Sequence, residues 1–98
     1  MKVTYSLPTA NEDGTALLPD DIKQIDVLME GADGFAVVAS DVTPQDGMVE
    51  VDISLAPGTH RFALRTVNRW GKVSKLSEIA TKVVEAPTPK APFGVALG

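Results

Sequence analysis

The sequence predicts an all-β protein, an antiparallel sandwich of two sheets, and three observations carry that prediction. Apolar residues recur with period two in short runs, the period of a half-buried strand. Glycine, proline, aspartate and asparagine clusters separate these runs at spacings of about ten residues, the rhythm of successive antiparallel strands. Helix signals are nearly absent. A chain of 98 residues with 44% apolar content builds one small core.

Six strands follow in order. Val3, Tyr5 and Leu7 alternate with Lys2, Thr4 and Ser6, and the next loop, "PTANEDGT", reverses at Asp13-Gly14. Ile25, Val27 and Met29 alternate with Gln24, Asp26 and Leu28 until "EGADG" breaks the run. "FAVVA" is a short third strand, and "SDVTPQDG" the loop after it. Val49, Val51, Ile53 and Leu55 against Glu50, Asp52 and Ser54 give the cleanest half-buried pattern in the chain. "APGT" then turns into a fifth strand, with Phe62, Leu64 and Thr66 on one face and Arg61, Ala63, Arg65 and Val67 on the other. After the loop "NRWGK", Ile79, Thr81 and Val83 opposite Ala80, Lys82 and Val84 make the sixth.

Charge is divided unevenly along the chain. Residues 1–60 hold two bases against eleven acids, whereas residues 61–98 hold seven bases against two acids. Cross-strand pairing uses these charges more economically than a nucleic-acid patch, which needs clustered, unopposed bases. Arg61 and Arg65 are expected to oppose Asp26 and Glu30, and no nucleic-acid partner is expected. There is no cysteine, so disulfides and thiolate metal sites are excluded. No apolar run of signal-peptide length follows Met1, and no stretch approaches the roughly 20 apolar residues that span a bilayer, so a soluble chain without a membrane partner is expected.

Catalytic constellations are missing as well. Without cysteine no Cys-His pair exists, the lone histidine, His60, is read as a structural corner residue rather than as the base of a Ser-His-Asp arrangement, and no glycine-rich phosphate loop precedes a helix. The chain is therefore expected to be neither an enzyme nor the carrier of a cofactor. The acids in "NEDG" and "PDD" offer oxygen ligands to calcium, but solvated turn acids account for them more simply. Trp70, between Arg69 and Gly71, is a candidate for recognition of a sugar or a protein, against a structural reading in which it folds over the strand ends.

Taken together, "VTYSLPTANEDGTAL" and "LAPGTHRFALRTVNRWGKVSKLSE" resemble a fibronectin type III domain of the bacterial and phage kind. The similarity covers residues 3–84. It implies an immunoglobulin-like sandwich in which the first two stretches of the chain are the family's strand B and its following loop, and "LAPGT…VNRWG" its E-to-F turn, strand F and F-to-G loop. At the corner where the family usually carries a tyrosine, this chain has His60, whose ring nitrogen is expected to hold nearby backbone instead. The family's tryptophan in its second strand is also missing, leaving Tyr5 or Leu7 to fill that part of the core.

A larger departure concerns strand A. Met1 stands where strand B begins, and the family's strand A pattern, a proline, two residues and alternating apolars, occurs instead at the far end as "APFGVAL", with Pro92, Phe93, Val95 and Leu97. Residues 1–85 are thus expected to form the sandwich, and residues 86–98 a proline-rich linker with a candidate strand. That strand has three destinations: a neighbouring copy, the chain's own first strand, or a free or partner-bound state. Returning within one chain asks "EAPTPKA" to span the sandwich, with a reach of roughly 23 Å. Donation to a neighbour is less strained and ranks first, with Val3 and Tyr5 on the receiving strand. A homo-oligomeric structural protein of a phage virion, contacting other virion proteins in the head, neck or tail, is the leading expectation. The alternative is a spacer or carbohydrate-binding accessory module of a secreted, extracellular bacterial enzyme or adhesin.

Overall fold

The structure, a computed structural model, describes residues 1–45 and 47–98. Asp46, within the loop expected over residues 40–47, lies outside the described residues. The fold is all-β, with six strands among the described residues: β1 (Lys2–Thr4), β2 (Ile22–Gly31), β3 (Gly34–Asp41), β4 (Met48–Glu50), β5 (Gly58–Asn68) and β6 (Ala80–Val84). A single 3-10 turn, Pro19–Asp21, precedes β2. The strands form two antiparallel sheets, β1-β4 and β3-β2-β5-β6.

The core lies where the sheets face each other. Val27 from β2, Phe62 from β5 and Val51 after β4 are buried together, and Val3 and Val49 of the small sheet pack against them. A second cluster, Leu17, Ile22 and Ile25, is completed by Tyr5, Leu7 and Leu64. Tyr5 and Leu7 thus both serve the core. At about 25 cal/mol per Å2 of apolar area, this burial is the main favourable contribution to folding in a chain without disulfides.

Burial follows the alternation of the sequence in β1 and from Val49 to Leu55, whereas β2 buries Asp26 and Leu28 beside Ile25 and Val27, β5 buries Ala63 beside Phe62, and β6 is exposed up to Val83; strand ends depart from the expected bounds as well. Burial still alternates through Val51, Ile53 and Leu55, but β4 stops at Glu50. Its last rung joins Met1 and Val51, whose N–H donates to the Met1 carbonyl at 2.7 Å, and residues 52–55 pair with no strand among the described residues. In the same way β1 ends at Thr4, with one further rung from Tyr5 N–H to the Gly47 carbonyl at 2.8 Å. Gly47 is required there. Its φ is +66°, and a Cβ would stand 2.6 Å from the Tyr5 carbonyl oxygen.

The expected charge pairs form on the outer face of the large sheet. Arg61 binds Glu30 at 2.7 Å and Arg65 binds Asp26 at 2.8 Å, in neighbouring positions across β2 and β5. Asp26 is only 2% exposed and also accepts from Ser40 Oγ and Gln24 Nε2. At the β5 entry His60 donates from Nε2 to the Ala56 carbonyl at 2.7 Å, the corner bond expected of it.

Beyond β6 the chain leaves the sandwich. Residues 85–98 form no strand and are exposed throughout. They give the molecule a long axis of 79 Å against 27 and 18 Å, and a radius of gyration of 19.6 Å where a compact chain of this length has about 13 Å.

A candidate strand-acceptor groove

β1 has β4 on one side and no strand on the other among the described residues. Antiparallel pairing fixes which backbone groups face the open side. Met1 with Val51 and Tyr5 with Gly47 are hydrogen-bonded rungs, so Val3 with Val49 is the rung between them. The N–H and C=O groups of Lys2, Thr4 and Ser6 therefore point away from β4. An open edge of this kind is a template for another strand.

The open edge forms one wall of a groove of about 690 Å3. Val3, Thr4, Tyr5 and Ser6 line that wall, and the core residues Ile25, Phe62 and Leu64 line the floor. The opposite wall is the segment between Ser74 and Ala80, which runs beside β5 without becoming a strand. Two serines hold it. Leu64 N–H donates to Ser77 Oγ and Thr66 N–H to Ser74 Oγ, each at 2.8 Å, while Ser77 and Ser74 N–H donate back to the Leu64 and Thr66 carbonyls. Sequence reasoning singled out Val3 and Tyr5 on this edge but missed the wall opposite. Its signal is the pair of serines three residues apart in "SKLS", hydroxyls that stand in for strand carbonyls.

Tyr5 is tied in from a third direction. Its hydroxyl donates to an Asp41 carboxylate oxygen, and Asp41 also accepts from Thr43 N–H at 3.1 Å. The ring is thereby fixed at the groove wall beside the Leu17 cluster.

At the upper mouth, two tight loops stand side by side. One runs from Pro8 to Leu17 and closes through Asn11 N–H to the Thr15 carbonyl, with Gly14 at φ +87°. Asp13 accepts from both Thr15 N–H and Oγ1, and these bonds hold its carboxyl below the ordinary value of 3.8. The other loop holds Trp70. Asn68 Oδ1 accepts from Trp70 and Lys72 N–H, and Arg69 reaches Asp21 both by its backbone N–H and by its guanidinium. The Arg69 guanidinium also lies over the Trp70 ring, 4.4 Å from its centroid, yet the side chain remains 64% exposed. Among the described residues no group of three or more histidine, aspartate or glutamate side chains could hold a metal ion.

The remaining candidate residues are in the tail. Phe93 is 97% exposed, Leu97 96%, and Val95 nearly as open. Val3 and Tyr5 are thus together in the groove, Trp70 is at its mouth, and Pro92, Phe93, Val95 and Leu97 are apart from both. No helix is long and apolar enough to cross a membrane. Set beside known proteins, the chain matches no family model, no curated protein and no solved structure.

Proposed function

We propose that the chain is a non-enzymatic assembly module, an immunoglobulin-like sandwich of fibronectin type III character. It joins copies by placing residues 92–98 on the open edge of a neighbour's β1. One observation carries the reading: an open strand edge beside an apolar-floored groove and a strand-patterned tail that pairs with nothing described occur in the same molecule. The family resemblance agrees with the strand order, in which β1-β4 would be the B-E pair and β2, β5 and β6 the C, F and G strands. The open place beside β1 is then that of strand A.

Direction favours a neighbour over the chain itself. β5 runs toward the Trp70 loop and β6 runs back, so the tail departs from the pole farthest from Trp70. A strand antiparallel to β1 must enter at the Ser6 end, beside the Trp70 loop. Donor and acceptor are therefore different poles, a head-to-tail contact that closes into a ring or grows into a filament. Val95 and Leu97, two apart, would rest on the apolar floor, while Gly94 and Ala96 face outward. From the resemblance, the setting we propose is a phage virion.

Light scattering over a dilution series, on the whole chain and on a chain ending at Glu85, tests this. The whole chain is expected to form oligomers that dissociate on dilution, and the shortened one to stay monomeric. A whole chain that is monomeric at every concentration would overturn donation between copies.

A further inference from the structure

We infer that the space between the two mouth loops is a cradle for the proline-rich linker, residues 86–92, of a second copy of this chain. This rests on the strand-exchange reading and adds a second, chemically different contact to it. The cradle is a pocket of about 830 Å3 between the Pro8–Leu17 loop and the Trp70 loop, and it shares Pro8, Thr66 and Ser74 with the strand groove. The two spaces are thus continuous. A donated strand entering antiparallel to β1 reaches Ser6 first, so the residues just before Phe93 must lie over these loops.

The chemistry of linker and cradle matches. Pro87, Pro89 and Pro92 in "EAPTPKAP" favour the polyproline II conformation, which is extended before binding and gives up little entropy on docking. Such segments settle on exposed aromatic rings, and Trp70 lines the pocket, remains largely exposed and has Arg69 over its ring. Charge selects the same occupant. Glu12 and Asp13 form the acidic side of the pocket and neither is in an ion pair among those described, while Lys72 supplies one positive group. The cradle is negative on balance, and Lys90 is the charged residue within the linker.

Trp70 is the chain's single tryptophan, so its emission reports on the cradle directly. Fluorescence and sedimentation are measured together across the assembly range for the wild type and for Trp70→Ala, Lys90→Glu and Val95→Asp. Assembly of the wild type is expected to shift the emission to shorter wavelength and to protect it from acrylamide. Trp70→Ala is expected to weaken association at least tenfold. Lys90→Glu weakens it as well, and adding Glu12→Lys restores part of the loss; Lys90 lies outside the sandwich, so folding does not confuse that result. If Val95→Asp prevents assembly while Trp70→Ala and Lys90→Glu assemble like the wild type, and the emission of the wild type and of Lys90→Glu stays unshifted on assembly, the cradle inference is wrong and strand exchange stands. If Val95→Asp assembles normally, or the wild type never assembles, both are overturned.

Discussion

Asp26 shows how far a single residue can be read from sequence. Its pairing with Arg65 was legible, because alternation places both on the outer face and antiparallel order places them side by side. Its depth was not: the carboxylate is almost fully covered because Ser40, Gln24 and Arg65 close around it from three strand positions. Burial opposes its ionisation, but the hydrogen bonds from Ser40, Arg65 and Gln24, with the Arg65 charge, outweigh it and hold the carboxyl below its ordinary value. A folded value below the unfolded one means that the ionised group stabilises the fold above pH about 4, and that this contribution is lost as pH falls through the folded value. Asp26→Asn is expected to cost about 1.5–3 kcal/mol at pH 7, the range for a hydrogen bond to a charged group, and much less at pH 2. Urea unfolding at both pH values checks this, and an equal loss at each would show that the charge is not what Asp26 contributes. His60 is the opposite case, legible in full, since a corner needs only one donor within reach of the Ala56 carbonyl and the imidazole supplies it.

Among elements, six strands were readable among the described residues, and in β1 and the run from Val49 to Leu55 so were the inward faces, because a period of two shows directly which side chains are buried; β2, which buries Asp26 and Leu28 as well, β5, which buries Ala63 beside Phe62, and β6, exposed up to Val83, do not follow it. Strand lengths were not readable, because a strand is defined by its partner as well as by its own residues. The run from Val51 to Leu55 keeps its buried face but has no strand partner among the described residues after the Met1–Val51 rung. The Ser74–Ala80 wall was illegible for a related reason: its serines bond at a spacing of three, which breaks the alternation that marks a strand. These hydroxyls carry a testable share of the fold. Replacing both Ser74 and Ser77 by alanine leaves the Leu64 and Thr66 N–H groups of β5 without their acceptors, at about 1 kcal/mol or more each where water cannot reach. Faster amide exchange at Leu64 and Thr66, with β2 amides unchanged, is the expected result. Unchanged exchange at both would mean that the wall is held by its backbone bonds alone.

For the whole molecule, the structure leaves one edge of β1 without a strand among the described residues and sends residues 85–98 away from the sandwich, pairing with nothing described; the proposed exchange joins the two as acceptor and donor. A rearranged chain separates the geometry of the groove from the question of who fills it. If residues 92–98 are moved ahead of Met1 and joined to it by a short glycine-containing turn, the tail segment becomes an antiparallel neighbour of β1 within one molecule, with no span of the sandwich to cross. Such a chain is expected to be monomeric at all concentrations and more resistant to urea than the chain ending at Glu85, because the segment lies over the apolar floor of the groove and pairs an open edge. Its amides at Lys2, Thr4 and Ser6, which face the open side, are expected to exchange roughly a hundredfold more slowly than in the shortened chain, whereas Val3 and Tyr5, already bonded to β4, change far less. That alternation along three successive rungs is specific to a strand laid on this edge. Uniform protection of β1 would indicate general tightening, and unchanged exchange at all three would show that residues 92–98 do not belong in the groove.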